Sequence, residues 1–328
     1  MFYVVFFLAL LFEFVNGFTD APNSIATVVS TRVLRPMSAV IMAAFLNLLG
    51  ALLTGTAVAK VVSKDIIDFE AVTLPTLAAA LLGASLWSMT AQRFGIPTSE
   101  SHGLVAGLIG AAVAVGGWDV VVGAGTNKVL IGLVSSPLLG FTVGLLLMLA
   151  IYWIFRGVRL AIVRGVFGRA QLFSAGVMAF SHGSNDGQKT MGVLALTLFL
   201  AGRQQGRAEP FIDLWVIFLA ATVMGLGTAF GGWRVVRTLG VRMTKLEPVQ
   251  GFAAETTAAG VILAASRFGI PVSTTHVIGS SIMGVGATKR FSAVRWGVAG
   301  SIVTAWILTW PGCGILAYAL SKLFNWIA

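Results

Sequence analysis

Residues 91–102 read AQRFGIPTSESH, and residues 265–276 read ASRFGIPVSTTH. The second copy lies 174 residues downstream of the first, and both keep Arg-Phe-Gly-Ile-Pro. Both also place a serine two residues after the proline (Ser99, Ser273) and a histidine five after it (His102, His276). A weaker pair lies upstream of each copy. NGFTDAPN at 16–23 and HGSNDGQK at 182–189 are offset by 166 residues, with Gly17 matching Gly183 and Asp20 matching Asp186. Two repeated motifs in the same order point to an internal duplication.

The medium around this duplication follows from composition. Hydrophobic residues make up 57% of 328 positions and charged residues 10%, and mean hydropathy is +0.92. Soluble globular chains carry about 25% charged residues, so this chain is solvated by lipid. No polar stretch is long enough for a soluble domain. The net charge of +10 does not point to nucleic acid, because the charges sit in short gaps between apolar runs, as loop charges of membrane proteins do. The single cysteine, Cys313, excludes an intramolecular disulfide or a cysteine-based metal site. The first apolar run lacks a basic leader and a small-residue cleavage site, so it reads as a retained span.

Apolar windows fall at roughly 1–30, 36–58, 73–92, 97–117, 128–154, 171–200, 211–233, 248–266, 270–288 and 294–320. With about 20 residues per crossing, the expectation is an all-α polytopic membrane protein with ten crossings. The first and sixth windows are over-long and interrupted by polar residues, so they are expected to be broken helices. An external N-terminus puts 14 Lys and Arg in cytoplasmic gaps against 7 outside, the favoured direction of that bias. Equivalent windows are five apart, an odd number. The expectation is therefore two inverted-topology repeats of about five spans each, with broken or re-entrant helices at the midplane. The first would cover 1–155 and the second 171–328, joined by a short basic cytoplasmic loop at 156–170. Inverted repeats place substrate and ion sites near the midplane, on discontinuous helices.

The motif residues suggest two kinds of chemistry. Asp20 and Asp186 lie inside spans, where a carboxylate is costly and usually functional. With Asn23 and Asn185 beside them, they are candidate ligands for a coupling ion, Na⁺ at Asp20, Asn23 and Asp186 or a proton on the acid itself. Each Gly-x-Pro breaks a helix, after which Ser99, Ser101, Ser273, Thr274 and Thr275 offer hydroxyls at a new helix start. Helix N-termini attract anions, and two copies would aim two such ends at one point. Ordinary N-capping is the plainer role for these hydroxyls. His102, His182 and His276 are structural hydrogen-bonding or proton-handling groups. Glu255, just before the second hairpin, is a further coupling-ion candidate. Glu100 has no acidic counterpart in the other repeat, and Glu13 has no evident role.

The pairs NGFTDAPN with HGSNDGQK, and GIPTSESH with GIPVSTTH, resemble the inorganic phosphate transporter (PiT) family of cation-coupled symporters. The resemblance runs from about residue 10 to 290. It implies an inverted-repeat secondary transporter of the plasma (cell inner) membrane, commonly a homodimer, that imports phosphate with H⁺ or Na⁺ by alternating access and needs no cofactor. It also implies that Asp20, Asn23 and Asp186 lie near the coupling ions, the hairpin-tip Ser and Thr near phosphate, and Glu255 in the same cavity. There are departures. Many Na⁺-coupled members carry a motif resembling GANDVANA in both copies, whereas Thr19 and Lys189 stand here where those have Asn. Lys189 is thus either a tethered counter-charge or a direct anion ligand. The long hydrophilic central loop of some members is missing.

Sulfate or thiosulfate is the rival substrate, since hydroxyl donors alone do not separate tetrahedral oxyanions. A membrane-embedded lipid phosphatase is disfavoured, because such an enzyme needs Arg or metal at the transferring group and every Arg lies at a span boundary. Buried acids in both halves suit ion coupling better than a passive channel.

Overall fold

The computed structural model of the protein describes residues 1–327 and is helical throughout. Among these residues, twelve α-helices fall into two series of six. The first series is α1 (Phe2–Ser30), α2 (Pro36–Leu53), α3 (Ala57–Lys60), α4 (Leu74–Phe94), α5 (Glu100–Gly116) and α6 (Gly123–Ile154). The second is α7 (Leu160–Leu200), α8 (Leu214–Phe230), α9 (Trp233–Arg237), α10 (Pro248–Arg267), α11 (Thr274–Ala287) and α12 (Trp296–Ile327). The correspondence reaches fine detail. Both short helices, α3 and α9, run on into a π-helical turn, Val61–Asp65 and Thr238–Arg242. The long sixth helices each carry one internal proline, Pro137 and Pro311.

Five helices are long and apolar enough to cross a membrane: α1, α2, α4, α6 and α12. Segment Leu214–Phe230 with Trp233–Arg242 makes a sixth if that pair, bent by 60°, counts as one span. The protein is a multi-pass integral membrane protein. Its outer surface presents apolar side chains such as Ile131 and Leu138 on α6, and Ile307 and Ile315 on α12. The middle of α7 is instead enclosed from Ser181 to Leu198, which permits its polar composition. Helices α5 and α11 have 17 and 14 residues. At about 1.5 Å per residue they are shorter than the roughly 30 Å hydrocarbon core.

Two expectations change. The windows at 1–30 and 171–200 are not broken: α1 and α7 stay helical through Asn16–Asn23 and His182–Lys189. Pro22 withdraws one N–H from α1, but surrounding protein can absorb such a defect inside a membrane, and this stretch is buried from Thr19 to Val28. The loop expected at 156–170 is also shorter, because α7 already begins at Leu160.

The two series interlock. Helix α5 packs on α12 and α11 on α6, while α1 lies against α8 and α2 against α7. The motif glycines make the last two contacts possible. A Cβ on Gly17 would stand 2.3 Å from the Met224 carbonyl oxygen on α8, and one on Gly183 2.0 Å from the Asn47 carbonyl oxygen on α2. Gly183 faces Asn47 and Gly187 faces Ala51, so α7 runs in the same direction as α2.

Candidate functional site

The repeated RFGIPxS motif is a helix stop followed by a helix start. Gly95 ends α4 and Gly269 follows α10, with φ of +68° and +66°, a conformation glycine adopts without a Cβ clash. The chain then turns back as in a Schellman motif. The N–H of Ile96 donates to the Ala91 carbonyl at 3.1 Å, and that of Ile270 to the Ala265 carbonyl at 2.9 Å. Pro97 and Pro271 prevent the helix from continuing. Ser99 and Ser273 then cap α5 and α11, each hydroxyl oxygen accepting from the backbone N–H of His102 or His276 at 3.2 Å. These two serines therefore perform the capping role, while Ser101, Thr274 and Thr275 stand in the first helical turn.

The two hairpin tips meet. Ser101 Oγ donates to the Val272 carbonyl at 3.1 Å, and the His102 and His276 rings lie 4.7 Å apart. The expected hydrogen-bonding role of these two imidazoles does not hold for the rings. None of their four nitrogens has a partner, and His276 stacks on Trp306 at 4.0 Å. It is the backbone N–H of each histidine that serves the cap.

The motif segments of α1 and α7 bring their carboxylates to these tips. Asp186 Oδ2 accepts from Thr274 Oγ1 at 2.8 Å and lies 3.0 Å from His182 Nε2. Asp20 Oδ1 accepts from Thr275 Oγ1 at 3.1 Å, and its other oxygen is 4.0 Å from His182 Nε2. Asp20, His182 and Asp186 each offer one atom to a cluster within 4.8 Å, all buried. His182 is oriented from behind by Asn47 Oδ1, 3.1 Å from Nδ1. Asn23 Nδ2 donates to Thr275 at 2.9 Å and to Thr274 at 3.3 Å. Lys189 donates to Asp186 and Ser101 and lies 3.3 Å from the Val272 carbonyl.

Two of the predicted coupling-ion residues fall outside this cluster. Asn185 turns to α10, donating to Ser266 at 2.9 Å. Glu255 sits in its own cage, accepting from Thr27 at 2.6 Å, Gln171 at 3.0 Å and Ser174. Thr27 is two turns along α1 from Asp20, so roughly 10 Å separates the cage from the cluster. Similar cages hold two acids to which the sequence assigned no role. Glu100 accepts from Thr19 at 2.7 Å and from Ser88, and Glu13 from Thr190 and Asn16. Thr27, Ser88, Gln171, Ser174 and Thr190 were not singled out by sequence, and Thr19 only as a departure from the family motif. Their one signal was a polar side chain in an apolar helix.

The model of the Phosphate transporter family matches the chain twice, over residues 16–164 and 159–317. A protein of Rhizobium meliloti (strain 1021) named probable low-affinity inorganic phosphate transporter is 47% identical over 309 residues, covering 94% of this chain and 92% of the relative. One of the same name from Bacillus subtilis (strain 168) is 40% identical, over 96% and 95% of the two chains. A solved structure titled the sodium-dependent phosphate transporter superposes with a TM-score of 0.89 at 25% identity, over 100% of this chain and 99% of the other. The double match repeats the division seen in the helix order, and the chain belongs to the phosphate transporter family.

Proposed function

We propose that this transporter, which is not an enzyme, imports inorganic phosphate by symport with H⁺ or Na⁺ through alternating access. One observation carries the reading: two duplicated hairpin tips, each starting a helix with hydroxyls in its first turn, converge on two duplicated buried aspartates. Ser101, Thr274 and Thr275 with the adjoining backbone N–H groups form the anion end, and Asp20, Asn23 and Asp186 the cation end. A cation beside the carboxylates lowers the cost of bringing an anion to the same apolar depth. The relatives named phosphate transporters support the substrate, and the neighbour titled sodium-dependent supports a coupling cation.

The two halves, 1–155 and 171–328, are read as inverted repeats. The direction of α7 supports this, since α7 runs parallel to α2, the helix that turns back after α1. The basic bias of one set of loops supports an external N-terminus, and the family resemblance supports the plasma membrane and a homodimer. Uptake of labelled phosphate into proteoliposomes tests the substrate. Phosphate is expected to enter saturably and to resist a tenfold excess of sulfate; saturable sulfate entry that phosphate does not compete would overturn the assignment.

A further inference from the structure

We infer that the ammonium of Lys189 is a built-in cation, filling in the second repeat a site that the first repeat leaves to a mobile ion. The inference rests on the transport reading above and concerns how many cations accompany each anion.

The two half-sites can be compared atom by atom, because the repeat aligns Asp20 with Asp186, Asn23 with Lys189 and Thr275 with Ser101. In both halves the residue at the 23/189 position donates to the hydroxyl at the 275/101 position. The pseudo-symmetric contact is thus the same, while the chemistry differs. Around Lys189 stand a carboxylate oxygen of Asp186, the hydroxyl of Ser101 and the carbonyl of Val272. A carboxylate, a hydroxyl and a carbonyl make the hard-oxygen set that suits a small metal cation. An ammonium has three N–H donors, one for each of these oxygens. Lys189 is 3% exposed and is the one buried Lys or Arg among the described residues.

The first half offers a matching oxygen set without the ammonium. Among the described residues Asp20 has no Lys or Arg within ion-pair distance, and the His182 imidazole lies 4.0 Å away. Asn23 directs its amide N–H groups at the hairpin tip, which leaves its Oδ1 buried and without a partner. Asp20 and Thr275 are the first-half counterparts of Asp186 and Ser101, and the Asn23 carbonyl oxygen, at the position of Lys189 itself, adds a third oxygen to the set.

The functional difference lies in the number of ions moved. A mobile ion is released on the far side, whereas a tethered ammonium stays with the protein through every cycle and carries no net charge across. Two symmetric mobile sites would move one cation more per phosphate than this chain does. Lys189 therefore sets the cation-to-phosphate ratio, and the electrochemical gradient that phosphate uptake can exploit.

Reversal potentials of phosphate flux in proteoliposomes, under set Na⁺ and H⁺ gradients, measure that ratio. Lys189→Asn, which rebuilds the first-half ligand set, is expected to raise the ratio by one and to make uptake respond more steeply to Na⁺. Lys189→Arg, which keeps the charge, is expected to retain the wild-type ratio. An unchanged ratio and Na⁺ response in Lys189→Asn, with weakened apparent phosphate affinity, would make Lys189 an anion ligand and overturn the inference. Thermal unfolding of purified protein against Na⁺ concentration supplies a readout independent of transport. Lys189→Asn, or Lys189→Gln if the shorter side chain does not fold, should gain a Na⁺-dependent rise in Tm beyond that of wild type. Equal slopes overturn the inference. Wild-type protein that moves no phosphate under any gradient would instead defeat the transport reading itself.

Discussion

Asp20 and Asp186 hold the same repeat position but not the same surroundings. Asp186 is bonded by Lys189 and Thr274 and touches His182, whereas Asp20 has one hydroxyl and a more distant imidazole. Their substitutions should therefore differ in stability even where both stop transport. Asp186→Asn strands a buried ammonium, and breaking such a pair from one side costs about 3–5 kcal/mol. Asp20→Asn strands no cation and should cost distinctly less. Thermal unfolding of the two purified variants checks the order, and Asp186→Asn combined with Lys189→Asn should recover part of the loss. The charged residues of this site were legible in the sequence because a charge in an apolar run is costly and rarely incidental. Their hydroxyl partners were not. A serine or threonine in a helix commonly donates to a carbonyl one turn back, as Thr197 and Ser181 do here. Nothing in the sequence says that Ser88 and Ser174 instead reach Glu100 and Glu255. Glu255→Leu should leave the Thr27 and Gln171 donors unpartnered at about 1–3 kcal/mol each. Glu255→Gln should be much milder by the same unfolding measurement.

At the scale of elements, the hairpins were the most readable part of the chain. The motif RFGIPxS supplies a left-handed glycine, then a proline that stops the helix, then a serine that caps the next one. Gly269→Ala forces a Cβ into the left-handed region and should cost about 1–2 kcal/mol. Ser273→Ala should cost about 1 kcal/mol through the lost cap. Both changes displace the tip that carries Thr274 and Thr275, so a fall in phosphate uptake larger than the fall in folded protein is expected. The continuity of α1 and α7 is not legible in the sequence, because local propensity points the other way. Glycine, asparagine and aspartate are poor helix formers in isolation, but here enclosure decides. Gly17 and Gly183 are present because α8 and α2 come too close for any side chain, not because the helix breaks. Gly183→Leu should prevent the approach of α2 to α7 and abolish stable expression, checked by the yield of monodisperse protein.

For the whole molecule, the duplication was visible in two motif pairs, but the interlocking of the halves was not. Sequence periodicity reports which face of a helix is apolar, and in a chain apolar on nearly every face it does not say which helix covers it. The exchange of α5 onto α12 and α11 onto α6 makes each half a wall of the other's hairpin. The cluster of Asp20, Asp186, Asn23 and the two tips thus exists only in the complete chain, because both halves contribute to it. The central claim is that this cluster couples a cation gradient to phosphate. Accumulation of labelled phosphate in proteoliposomes tests it most directly, comparing wild type with Asp20→Asn under an inward Na⁺ or H⁺ gradient. Wild type should concentrate phosphate above the external level and lose that excess when ionophores collapse the gradient, while Asp20→Asn should never exceed equilibration. Accumulation that survives gradient collapse, or that Asp20→Asn sustains at the wild-type level, would contradict the account.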